Sequence, residues 1–108
     1  MTNGTGLKSL QDNMYYVYVL ISRKDNKFYI GFTQNIKNRI EDHKNGKISS
    51  TRFRRPFQLI YCEGHLSKQD ALRREKYFKT TKGKATLKQI LKDALKSFHQ
   101  KNSFFSLF

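Results

Sequence analysis

The residues able to do chemistry in this chain are few and unevenly placed. Tyr18 and Tyr29 lie inside two apolar runs with ten residues between them, Arg39 and His43 follow four apart, and Glu75 comes much later. The eight carboxylates are scattered, with no paired spacing suited to a two-metal site. His43, His65 and His99 lack zinc-ligand spacing, and Cys62 has no second cysteine to join it. No glycine-rich phosphate loop or nucleophile elbow occurs. What remains fits phosphodiester hydrolysis around a single hard metal ion. Glu75 would hold Mg²⁺, with water and phosphate oxygens completing its shell. Arg39 would stabilise the charge that builds on phosphorus, and a phenol or imidazole would take the proton from water.

Such residues need elements to position them. Tyr15 to Ile21 and Phe28 to Phe32 are β-branched and aromatic runs, separated by polar turn formers. A tight turn centred on Asp25-Asn26, with Lys24 opposite Lys27, predicts a hairpin with two unlike faces. One face carries Val17, Val19, Ile21, Phe28, Ile30 and Phe32 and should be core. The other carries Tyr16, Tyr18, Leu20, Tyr29 and Gly31, the glycine leaving room for close approach by a backbone or a ligand. Taken alone, that face is most simply an aromatic surface.

Asn35 as N-cap and Gly46 as terminator predict a helix over 36–45 with an Ile36–Ile40 stripe. Arg39 and His43 stack one residue away from that stripe, so they belong at the edge of the core, by default a solvated pair. A basic loop follows (Lys47, Arg52, Arg54, Arg55, with Phe53 embedded), then a third strand over 57–62 after Pro56. Cys62 within it should be a small buried hydrophobe. Ser67 and Asp70 resemble a capping box opening a helix over 67–79. Glu75 falls on its Ala71, Leu72, Phe78 stripe, where an ionised carboxylate needs a partner or a metal. A salt bridge to Arg73, Arg74 or Lys79 is the plain alternative to a metal. The clearest helical spacing, over 85–98, places Leu87, Ile90, Leu91, Ala94, Leu95 and Phe98 on one side. Lys84, Lys88, Lys92 and Lys96 line another, either a wet face or a track for phosphates.

Length leaves room for one domain over 14–98, with a flexible leader at 1–13 and an apolar tail at 99–108. The tail is a candidate self-association contact. Lys and Arg number 22 against 8 Asp and Glu, a net charge of +14, which favours a polyanionic partner, nucleic acid before a membrane surface. No apolar run reaches membrane-spanning length. A lone cysteine suits the cytoplasm.

The order Tyr16-Val17-Tyr18, ten residues, Tyr29-Ile30-Gly31, and Arg39 eight after the glycine resembles the GIY-YIG nuclease family, chiefly its small single-domain bacterial branch. The Arg39 to His43 step and Ala71-Leu72-Arg73-Arg74-Glu75-Lys76 are similar too, so the likeness covers about 14–95. It implies an α+β fold, a three-stranded antiparallel sheet flanked by helices, and metal-dependent endonuclease activity in DNA repair or processing. By position it implies Tyr18 and Tyr29 as the tyrosine pair, Arg39 as catalytic arginine, His43 as assistant or alternative base, and Glu75 as ligand to Mg²⁺ or Mn²⁺. Tyr16 and Gly31 would shape the site. DNA is the expected substrate ahead of RNA. Lys47, Arg52, Arg54, Arg55, Lys84, Lys88 and Lys92 would bind it, because the chain has no room for the DNA-binding domain that guides larger members. A separate targeting protein is compatible with that. The chain departs from the family in having Tyr16 where many members have glycine, and no clear match to a late asparagine. The competing reading is a non-catalytic, basic nucleic-acid-binding module of the same fold.

Overall fold

The computed structural model describes residues 13–106. Three antiparallel strands, β1 (Tyr15–Ser22), β2 (Phe28–Thr33) and β3 (Phe57–His65), form a sheet in the order β2-β1-β3. Around it lie α1 (Ile36–Lys44), α2 (Lys68–Phe78), α3 (Thr81–Ile90) and α4 (Lys92–Ser106). The fold is α+β, as the sequence implies. The leader at 1–12 lies outside the described residues. Residues 99–106 of the supposed tail continue α4.

The hairpin faces divide as alternation predicts, but the turn does not. Val17 pairs with Phe32 and Ile21 with Phe28. Ser22 N–H bonds the Lys27 carbonyl at 3.0 Å, so the loop spans 23–26 rather than centring on two residues. Asn26, at φ 60°, supplies its left-handed bend. The register is therefore shifted by two from the expected pairing. An even shift returns every side chain to the same face, so the face assignment survives.

The apolar face packs under α2 and α3. Val17, Val19 and Ile30 form one core with Ala71, Phe78, Leu87 and Leu91, and each fully buried large side chain contributes about 1.5–3 kcal/mol. α3 approaches α2 through Gly83, where a Cβ would stand 1.9 Å from the Tyr77 carbonyl oxygen. Thr80 caps α3 by accepting from Gly83 N–H, so this helix starts before the predicted 85. It also ends before 98. Leu91 leaves helical geometry (φ −103°, ψ 21°), and α4 begins at Lys92. One continuous helix is thus two. The break lets Leu87 and Leu91 stay in the core while Phe98, 2% exposed, turns under the Arg23 guanidinium. Ile90, expected in the stripe, is 48% exposed.

β3 runs to His65, past the predicted end at 62. Cys62 is exposed, not buried. It pairs with Tyr18 on an edge strand, on the side of the sheet away from α2 and α3.

Candidate active site

The second face of the sheet is closed by α1. Asn35 caps this helix by accepting from Asn38 N–H, and the chain leaves it through Gly46 at φ 75°. Ile36, Arg39, Ile40 and His43, at helical spacing, turn toward the sheet together. His43 is only 1% exposed, which corrects its placement at the core edge. The reason is chemical. The sheet offers a phenol rather than an alkyl group at that point, and a loop offers a hydroxyl.

The Tyr18 hydroxyl lies 2.7 Å from His43 Nε2, and His43 Nδ1 lies 2.8 Å from Thr51 Oγ1. Thr51 donates its one hydroxyl proton to the Ile48 carbonyl at 3.4 Å. The tautomer that satisfies all of these contacts carries its proton on Nδ1, which donates to Thr51, and leaves Nε2 to accept from Tyr18. Arg39 Nε–H in turn donates to the Tyr18 oxygen at 3.4 Å. The result is one directed chain: Arg39, Tyr18, His43, Thr51, Ile48. Tyr29 adds its ring edge-on to His43, centroids 5.1 Å apart.

Electrostatics follow from the burial. Burial pushes the Tyr18 phenol up to about 12, against the pull of Arg39. Burial, helped by Arg39, pushes the His43 imidazole down to about 4, while Asp42 opposes the shift. Both groups are neutral near pH 7. Gly31 is required by this packing: it faces Tyr18 across the ladder, and a Cβ there would stand 2.2 Å from the Tyr18 ring. What approaches the glycine is the Tyr18 ring itself. Tyr16 lies over Gly64 of β3 instead, outside the hydrogen-bonded chain.

Glu75 stands on α2, the helix packed on the other face of the sheet. Burial is the main reason the Tyr18 phenol is raised, and the Glu75 charge adds to it. Among the three cations considered for Glu75, Lys79 is the partner, at 3.1 Å. Arg74 is taken by Glu63, and Arg73 by Asp70. The Glu63 cluster escapes the sequence reading. Burial works to raise its pKa, yet bonds from Arg74, Tyr61 and His65 hold it below the usual range. Thr51 escapes it too, because a loop hydroxyl has no periodic signal.

The basic residues separate into two groups. Arg54 forks onto Asp25 and also donates to the Lys27 and Phe28 carbonyls, and Arg55 bonds the carbonyls of Arg52 and Lys44. Both guanidiniums hold the loop to the hairpin and to the end of α1. Lys47 and Arg52 are exposed. A cleft of about 600 Å³ opens on the tyrosine side, with His43 and Leu20 in its wall and Arg52 and Phe53 at its lip. Lys84, Lys88, Lys92 and Lys96 line a groove of about 850 Å³ with Lys27, Ile21 and Phe28. Ile21 and Phe28 belong to the apolar face, so this groove opens on the opposite side of the sheet.

The model of the GIY-YIG catalytic domain matches residues 14–89. The chain belongs to the GIY-YIG family. This GIY-YIG protein is 43% identical over 77 residues to a UPF0213 protein of Staphylococcus haemolyticus, covering 70% of this chain and 93% of that one. It is 37% identical over 71 residues to UPF0213 protein YazA of Bacillus subtilis, covering 65% and 71%. The solution NMR structure of a UPF0213 protein from Bacillus halodurans is 35% identical and covers 71% of this chain and 84% of that one, with a TM-score of 0.48. Among the described residues, no helix is long and apolar enough to cross a membrane.

Proposed function

We propose that this GIY-YIG protein is a divalent-metal-dependent endonuclease that hydrolyses nucleic-acid phosphodiesters, DNA ahead of RNA, in repair or processing in the cytoplasm. The observation that carries the reading is the directed bond from the Tyr18 hydroxyl to a buried, neutral His43, with Arg39 on the same oxygen.

Among the described residues, no three His, Cys, Asp or Glu cluster as ligands. Glu75 is a single hard oxygen donor, and its Lys79 partner sits on a long, half-exposed side chain able to swing away. That donor set suits Mg²⁺ or Mn²⁺, which keep several waters and take further oxygens from a phosphate. When bound, such an ion polarises the phosphoryl group and acidifies nearby water.

The protein's own residues do the rest. Tyr18 keeps its proton at rest, since burial holds its phenol at about 12. The Tyr18 oxygen takes a proton from the attacking water as its own proton passes to His43 Nε2 in one concerted shift, so no free phenolate forms. The imidazolium returns its proton to solvent, and the leaving oxygen takes one from solvent water. Arg39 balances the negative charge developing on the phosphate and on Tyr18. Tyr29 and the apolar sheet keep bulk water away from the imidazole.

The test is cleavage of plain duplex, single-stranded, branched and RNA substrates in Mg²⁺ or Mn²⁺. Arg39→Ala and Glu75→Ala should each abolish detectable cleavage while circular dichroism stays unchanged. Cleavage that survives both substitutions removes this site from the mechanism. The Lys79–Glu75 pair favours a second reading, a non-catalytic module that binds through its cations. That module would show no turnover in any metal, and its affinity would fall steeply with salt.

A further inference from the structure

We infer that the cleft beside the catalytic cluster binds one unstacked base of single-stranded DNA, an inference that rests on the nucleic-acid reading above. The cleft is walled by Leu20, Ile40, Phe57 and Leu59, and no acidic residue lines it. Phe53 stands at its lip with 74% of its surface exposed. The residue is held at its backbone, and its ring is covered on one side. Lys24 Nζ donates to the Phe53 carbonyl at 2.8 Å, and the Arg52 guanidinium lies 5.1 Å from the ring centroid.

An exposed aromatic ring with a stacked guanidinium is a platform for a base, whose flat apolar face needs no sequence-specific partner. The cations Lys24, Lys44 and Arg52 around an apolar interior match a nucleotide, with phosphate outside and base within. A paired base inside a duplex cannot enter such a cleft without leaving its stack. The cleft also continues into the reaction centre, because His43 both lines it and bonds Tyr18. Leu20 is two residues along β1 from Tyr18 and on the same face, a step of about 7 Å. One nucleotide can therefore lie with its base in the cleft and its phosphate at Arg39. The enzyme would then act on single strands or locally opened duplex, selecting by access to a base rather than by sequence.

The experiment measures binding without chemistry. Full-length Glu75→Ala protein in EDTA is titrated into a fluorescently labelled oligothymidylate, and separately into a duplex of equal length, with anisotropy as the readout. The single strand should bind several-fold tighter than the duplex. Adding Phe53→Ala should weaken the strand by about tenfold and the duplex by less than about twofold, and Phe53→Trp should restore strand binding. Equal losses on both ligands, or none, would overturn the inference while leaving the nuclease reading intact. Unchanged DNA affinity with a changed sedimentation coefficient would mean the cleft serves a second copy of the chain. Tighter binding to the matching RNA would overturn the assignment to DNA. Failure of either ligand to bind the parent protein at all would remove the nucleic-acid reading itself.

Discussion

When its hydroxyl proton points to the Ile48 carbonyl, Thr51 accepts from His43 Nδ1–H and so favours the tautomer whose Nε2 accepts from Tyr18. Thr51→Val keeps the shape and removes the acceptor. The buried Nδ1–H then lacks a partner, costing about 1–3 kcal/mol, and the tautomer is free to invert. Cleavage should fall by up to about a hundredfold, with Thr51→Ser retaining most of it. The ¹⁵N shifts of His43 give a check independent of activity, since a pure Nδ1–H tautomer should become mixed. His43 also ties stability to pH. Burial and Arg39 hold its folded pKa at about 4, below its unfolded value of 6.5, with Asp42 opposing. The unfolded chain therefore takes up the proton first as pH falls. This contribution is complete above about pH 6.5 and disappears toward pH 4, a loss of roughly 3 kcal/mol at most. Urea midpoints at about pH 7 and about pH 4.5 should differ by more in the parent protein than in His43→Gln. The meeting of Tyr18 with Arg39 is legible in the sequence through the order of the two triplets and the arginine that carries the family resemblance. Thr51 is not, because its role exists only once the 48–55 loop folds over α1.

At the level of elements, strand alternation reads through because a period of two survives any even slip. The pairing between strands does not read through, since the length of the 23–26 loop is set by Ser22. Its backbone closes on Lys27, and its hydroxyl accepts from the Lys24 and Asp25 N–H groups. The division of the last apolar stripe at Leu91 was likewise invisible, because its spacing is the same on both sides of the break. Gly31 offers a test of how tightly the hairpin holds the phenol. Gly31→Ala would drive a methyl into the Tyr18 ring. Overpacking of this kind costs about 1–3 kcal/mol, and the displaced hydroxyl should lose His43. Thermal denaturation should register the first effect. The near-ultraviolet tyrosine signal should register the second.

Across the whole molecule, which carries a net charge of +14, cations line a cleft on each side of the sheet. The lysine groove, behind the reaction centre, can add affinity without touching the scissile phosphate. Replacing Lys84, Lys88 and Lys92 with alanine should weaken DNA binding similarly for all sequences. It should also reduce the slope of log affinity against log salt by up to about one for each phosphate no longer neutralised. Single-turnover cleavage at saturating protein should stay near the parent value. The proposed reaction centre draws on both layers: the phenol, imidazole and guanidinium ride on the hairpin and α1, whereas Glu75 stands on α2. Ala71 and Phe78 tie α2 into the core under the sheet, so the carboxylate stays in place for as long as that core holds. Warming should then switch the protein off only as it melts, with amides of α2 exchanging together with those in β1.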